Sequence, residues 1–200
     1  MSYTGPKVKL SRKIGINMTP KARKFAQRKP YPPGQHGNTK RRTKQSDYGR
    51  QLIEKQRLRL QYNVSEKQLQ NYFVKAAAMT GNTGEILVQL LESRLESLVC
   101  RSGLARSLYG ARQYISHGHV LVNGHRVNIP SYLCKPGDQI AIKPKSRKLD
   151  CFQDAIRNSE APMYLELSKA DFSALYKELP ARHDVPIECE ISLVIEYYSR

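Results

Sequence analysis

Ser107-Leu-Tyr-Gly-Ala-Arg-Gln-Tyr-Ile-Ser-His-Gly-His-Val-Leu-Val-Asn-Gly-His-Arg-Val127 holds two periodicities in one stretch. Its first half reads as a short helix to about His117 with Ser107 as N-cap, because a serine oxygen accepts from amides that the first turn leaves unpaired. Leu108, Ala111 and Ile115 point one way, and Tyr109, Arg112, Gln113 and Ser116 lie opposite, at helical spacings of three and four. The second half turns to β-prone residues around Asn123-Gly124, a pair that tolerates the positive φ values of a two-residue hairpin turn. Further on, Pro136-Gly137-Asp138 marks another turn, and Ile140 and Ile142 alternate as on a strand. Residues 94–142 therefore read helix, helix, hairpin, turn, strand, a small α+β unit with an antiparallel sheet.

Upstream of this unit the pattern is helical. Ser46 or Asp47 caps a helix to about Gln61 that carries Arg50, Lys55, Arg57 and Arg59 against the single acid Glu54. Ser65-Glu66-Lys67-Gln68 is a capping box, and Leu69, Tyr72, Phe73, Ala76 and Ala77 form one apolar stripe behind it. After Gly81-Asn82-Thr83-Gly84, residues 85–101 read as a third helix, with Ile86, Leu87, Leu90, Leu91, Leu95, Leu98 and Val99 as core. Downstream, Tyr164–Leu167 is strand-like, a short element lies around Asp171–Lys177, and the apolar Ile191–Tyr198 ends the chain as a helix.

Charge is distributed steeply along the 200 residues, whose formal net charge is +17. Residues 1–50 hold 14 Lys and Arg against one acid, residues 51–150 hold 15 against 7, and residues 151–200 hold 5 against 9. A field of this strength concentrates polyanions, and basic tails commonly bind nucleic acid. Within residues 1–45, five prolines and four glycines interrupt a basic, apolar-poor segment, so it reads as an extended arm that orders against a polyanion. The chain thus divides into a basic extended arm (1–45), a helical domain (46–92, joined by 178–200) and a small α+β domain with a sheet extension (93–177).

Several chemistries find no support. No run of about 18 apolar residues exists, and the basic start lacks the apolar stretch of a secretory signal, so neither a membrane span nor secretion is expected. The four cysteines, at 100, 134, 151 and 189, form no close pair, which argues for reduced thiols and against a zinc site. No two glycines stand two apart and no phosphate-loop pattern occurs, so no nucleotide cofactor is expected. His117, His119 and His125 read as surface or RNA-facing imidazoles rather than metal ligands. No catalytic centre emerges.

In these residues the chain resembles bacterial-type small-subunit ribosomal protein number four, the family that gave its name to a widespread small RNA-binding domain. The resemblance is carried by Tyr-Thr-Gly-Pro-Lys (3–7), Leu-Ser-Arg (10–12), Pro-Gly-Gln-His-Gly (33–37), Ser-Asp-Tyr-Gly (46–49) and Glu-Lys-Gln-Arg-Leu-Arg (54–59). It continues through Leu-Leu-Glu-Ser-Arg-Leu (90–95), Ala-Arg-Gln (111–113), His-Gly-His-Val-Leu-Val-Asn-Gly (117–124), Asn-Ile-Pro-Ser-Tyr (128–132) and Val-Ile-Glu-Tyr-Tyr-Ser (194–199). It covers nearly the whole length in order. Some members hold zinc through cysteines in the arm; residues 1–99 contain none and Val8 stands where several members have one, so the chain resembles the zinc-free form.

The resemblance implies a structural component of the small ribosomal subunit and no enzyme. It implies binding to the 5′ domain of small-subunit ribosomal RNA at a multi-helix junction, early assembly of the subunit body, and a bearing on translational accuracy. It further implies contacts with the fifth and twelfth small-subunit proteins and no homo-oligomer. The location would be cytoplasmic in a bacterium, or an organelle with bacterial-type ribosomes. Lys40, Arg41, Arg42 and Lys44 are the candidates for the messenger RNA entry path. For RNA contact, one face is expected from Arg94, Arg101, Arg106, Arg112, Gln113, Ser116 and His117, with Asn123 at the hairpin tip. Tyr48, Arg50, Lys55, Arg57 and Arg59 are a second surface, and Lys7, Lys9 and Arg12 belong to the arm. Two other classes remain open: the same domain appended to an RNA-modifying enzyme, and a stress module acting on stalled ribosomes.

Overall fold

The computed structural model describes residues 5–39, 46–157 and 159–200. The described residues form two compact units, one from Met1–Gly84 with Ile187–Arg200 and the other from Glu85–Pro186.

The first unit is helical. Helix α1 (Lys7–Ile14) begins directly after Pro6 and stops at Gly15, whose φ of 76° is the left-handed cap that glycine adopts without strain. Helix α2 (Pro20–Arg28) follows, capped by the Thr19 side chain on the Ala22 amide at 3.2 Å. These helices correct the expectation of an extended arm. Pro6 and Pro20 stand at helix starts, where a missing N–H removes no helical hydrogen bond. Ile14 and Ile16 are buried with Leu60, so part of the arm has a small core of its own. Helix α3 (Asp47–Gln61) and helix α4 (Glu66–Ala77) lie as expected, with both hydrogen bonds of the capping box at Ser65 and Gln68 present.

The expected third helix, 85–101, is two helices: α5 (Thr83–Glu92) and α6 (Leu95–Arg101). Arg94 between them is extended, at φ −70° and ψ 139°, and bridges Leu133. The amides of Leu95 and Glu96 bond the carbonyls of Tyr132 and Pro130 at 2.8 and 3.2 Å, replacing helical partners with tertiary ones. Helix α7 (Leu108–Ser116) is capped by Ser107, whose oxygen accepts from the Gly110 amide at 3.2 Å.

Strands β1 (Val120–Val122) and β2 (His125–Arg126) flank Asn123 and Gly124, both at positive φ, 51° and 81°. Strand β3 (Gln139–Ile142) pairs with β1. Helix α8 (Asp150–Arg157) is absent from the sequence reading, although Phe152, Ala155 and Ile156 are buried at helical spacing. Strands β4 (Leu165–Ser168) and β5 (Ser173–Tyr176) complete an antiparallel sheet in the order β2-β1-β3-β5-β4. The second unit's core joins Leu95, Leu98 and Val99 of α6 and Ala111 and Ile115 of α7 to Val120, Val122, Ile140, Ile142 and Tyr176 of the sheet. The fold class is α+β, as expected. Helix α9 (Ile191–Tyr198) packs back onto α3 and α4 in the first unit, with Val194 fully buried.

Candidate nucleic-acid interface

In the second unit, α7 presents Arg112, Gln113, Ser116 and, at its C-cap, His117 along one face. Gln113, Ser116 and His117 are exposed and the Arg112 side chain is 29% exposed. Packing of Ala111 and Ile115 into the core fixes which face of the helix is left outward. Arg106 is exposed and pairs with Asp154 at 3.0 Å, an ion pair that solvent screening makes weak.

Two further cations, Arg126 and Lys143, lie here that the sequence reading does not place among the candidate RNA contacts, although Lys143 opens a basic run after the strand. Arg126 lies across Gly118, where a Cβ would stand 2.2 Å from its Nε, so the absence of a side chain at 118 lets the guanidinium lie close. Lys143 is exposed at the end of β3, where its amide bonds the His119 carbonyl at 2.8 Å. Both charges act on His119, whose ring is lowered in pKa first by burial and then by His117, Lys143 and Arg126. The signal for Arg126 was its place in the second strand of the hairpin, read there only as a turn flank.

Other candidates are turned inward. Arg94 is 0% exposed and donates to Glu96, with Nε 3.1 Å from Oε1. Arg101 forks onto the buried Glu92, with Nε and Nη2 at 3.0 and 2.9 Å from Oε1. Asn123 is exposed, yet its side chain locks the hairpin to the next turn. It donates to Asp138 and accepts from the Gln139 amide, both at 2.8 Å. Arg94 therefore does not belong to the expected docking face, and Asn123 and Arg101 hold the scaffold.

In the first unit, Lys9 and Arg50 are exposed, Lys7 is half-buried, and Arg50 pairs with Asp47. Tyr48 is 49% exposed, its ring 5.9 Å from that of Tyr197. Arg12 instead anchors the following segment, donating from Nε to the carbonyls of Lys29 and Tyr31 at 3.2 and 3.0 Å. Arg57 pairs with Glu54 at 2.6 Å and donates to the Ile14 carbonyl at 3.0 Å. Lys55, expected on the surface, is 3% exposed, held by Glu66 at 2.9 Å and the Tyr197 ring at 4.8 Å. Arg59 faces the same Glu66 at 3.8 Å. Lys40, Arg41, Arg42 and Lys44 lie outside the described residues.

Burial pushes the Cys100 thiol to about 11 and the Cys134 thiol to about 12, the opposite of an activated nucleophile. Among the described residues no group of three or more His, Cys, Asp or Glu is placed to hold a metal ion. No helix among them is long and apolar enough to cross a membrane.

A basic helical unit and a small α+β unit with a polar, cationic helix face fit a nucleic-acid-binding protein, and comparison with known proteins gives the family. Residues 2–92 match the family model described as the ribosomal protein S4/S9 N-terminal domain, and residues 93–140 match the S4 domain. A relative from Geobacillus thermodenitrificans is 48% identical over 199 residues, covering 99% of this chain and 98% of its own. One from Chlorobaculum tepidum is 45% identical over 201 residues, with coverage of 99% and 98%. One from Thermobifida fusca is 45% identical over 204 residues, covering all of both. Each carries the name small ribosomal subunit protein uS4. The chain belongs to the uS4 family of ribosomal proteins, a structural and non-enzymatic family.

Proposed function

We propose that this chain is a structural constituent of the small ribosomal subunit that binds the 5′ domain of its RNA at a multi-helix junction and helps nucleate the subunit body. The observation that carries this reading is the end-to-end similarity to relatives named small ribosomal subunit protein uS4, at 48% identity over 199 residues. Physical chemistry supports it. Folded RNA hides its base edges in a deep groove, so it is read through shape, phosphates, 2′-hydroxyls and unstacked bases. A rigid α7 face bearing Arg112, Gln113, Ser116 and His117, flanked by Arg126 and Lys143, suits that mode of reading. Lys7, Lys9, Tyr48 and Arg50 supply a second set of contacts from the first unit.

In functional terms the divisions are the basic arm (1–45), the helical domain (46–92 with 178–200) and the RNA-binding α+β domain (93–177). On the same reading the protein works in the cytoplasm and touches the fifth and twelfth small-subunit proteins, the former contact bearing on translational accuracy. Lys40, Arg41, Arg42 and Lys44 serve the messenger RNA entry path.

Filter binding to a 5′-domain fragment across a salt series, with a size-matched structured RNA as competitor, tests the reading. A preference for the fragment that survives high salt is the expected result. Equal binding to both RNAs, vanishing together as salt rises, would reduce the chain to a polyanion binder.

A further inference from the structure

Two buried carboxylates in the second unit treat their arginines differently. Glu92 is 0% exposed and takes Arg101 through two short bonds to one oxygen, at 3.0 and 2.9 Å. Glu96, with its side chain 1% exposed, faces two arginines. Arg94, fully buried, binds Oε1 from Nε and Nη2. The other oxygen, Oε2, is buried with no hydrogen-bond partner and stands 3.6 Å from Nη1 of Arg112.

One buried carboxylate needs one cation for neutrality, and Arg94 supplies it from within the protein. Of the two arginines on Glu96, Arg112, at 29% side-chain exposure, is the one that reaches the surface. At 3.6 Å the contact orients the guanidinium by charge rather than by a hydrogen bond. An arginine ordered in advance loses less rotamer freedom when it meets a ligand.

We propose that Glu96 is a positioning residue that fixes Arg112 for contact with RNA phosphate oxygens; this rests on the RNA-binding reading above. Glu96 touches no RNA and works through Arg112 alone.

Two experiments test it. The variant R94M/E96L removes both buried charges together, because deleting one would strand the other in the core. Binding to the 5′-domain fragment is compared in four chains: unmodified, R112A, R94M/E96L and the triple variant. R112A is expected to weaken binding about tenfold in the unmodified chain and less than about twofold in the R94M/E96L background. The same loss in both backgrounds, or no loss from R112A at all, would overturn the proposal. Should R94M/E96L not fold, side-chain 15N relaxation on the free, unmodified chain decides. The Arg112 Nε–H is expected to be as ordered as that of Arg94 and far more ordered than that of the exposed Arg106. Mobility equal to Arg106 would overturn the proposal. Failure of the RNA-binding reading itself is separately visible, as the unmodified chain then shows no preference for the fragment over the control RNA.

Discussion

Lys55, Glu66 and Tyr198 meet where α9 covers α3 and α4, with Lys55 Nζ 2.9 Å and the Tyr198 hydroxyl 2.8 Å from Glu66 oxygens. Burial pushes the Glu66 carboxyl up, but the hydrogen bonds from Lys55 and Tyr198 and the charges of Lys55 and Arg59 bring it below its ordinary value. A carboxyl held lower in the folded chain contributes stability that is full above its unfolded pKa of roughly 4.3 and is lost as pH falls through the folded value. E66Q is therefore expected to melt lower than the unmodified chain at neutral pH, with the gap closing below about pH 4. Thermal melts across a pH series check this, and a gap that stays constant would mean that the charge of Glu66 contributes nothing. Arg94 raises the opposite concern. R94A leaves Glu96 buried beside only the half-exposed Arg112, and a loss of about 3–5 kcal/mol is expected in urea unfolding. An exposed arginine would lose well under about 1 kcal/mol.

Single elements depend on short-range bonds that can be removed one at a time. S107A deletes the acceptor for the Gly110 amide and is expected to lower stability by about 1 kcal/mol, since that amide lies in the first turn, where no carbonyl of the helix itself is in reach. Asn123 ties the β1–β2 turn to Asp138 and Gln139 while itself holding φ at 51°. N123A removes both bonds and strains the backbone, so a loss of about 1–3 kcal/mol is expected. Its preference for the 5′-domain fragment should nevertheless persist, because the side chain is occupied within the turn. Loss of that preference with unchanged stability would instead make Asn123 an RNA contact. The break between α5 and α6 belongs with these features. Residues 85–101 keep a continuous apolar stripe, and only the strand-like segment around Leu133, brought in from elsewhere, draws Arg94 out of helix.

For the molecule as a whole, affinity and architecture separate in experiment. Lys7 and Lys9 sit on α1 of the first unit, whereas the proposed RNA-reading face on α7 belongs to the second, so K7Q/K9Q is expected to lower the slope of log K against log salt by up to about 2. Preference between RNAs should not change, and an unchanged slope would show that these lysines meet no phosphate. Truncation after Glu190 removes α9, and with it the Gln51–Glu196 bond at 2.8 Å, the Phe73–Tyr198 ring contact at 5.1 Å and the buried Val194. Amide exchange should then lose protection throughout α3 and α4. Protection that survives would mean that the helical unit does not need its C-terminal segment.

Features closed by nearby atoms were readable in advance. The Ser65 capping box, the Ser107 cap and the Asn123-Gly124 turn each complete their hydrogen bonds within about four residues, so residue type and spacing specify them. The steep charge gradient and the end-to-end resemblance were equally open to reading, and they already pointed to ribosomal RNA. The arm's helices were half visible: Pro6 and Pro20 looked like breakers but stand as starters, and only their position relative to the turn distinguishes the two roles. The fate of each cation was not readable. Lys55 and Arg94 share the residue class of Arg50 and Arg112, yet the first pair is buried and the second is not. What separates them is a partner distant in the chain, Tyr197 for Lys55 and the Tyr132–Leu133 backbone around Arg94. Burial and charge pairing depend on all the atoms within a few ångströms, and for these side chains most of those atoms arrive only when distant segments pack.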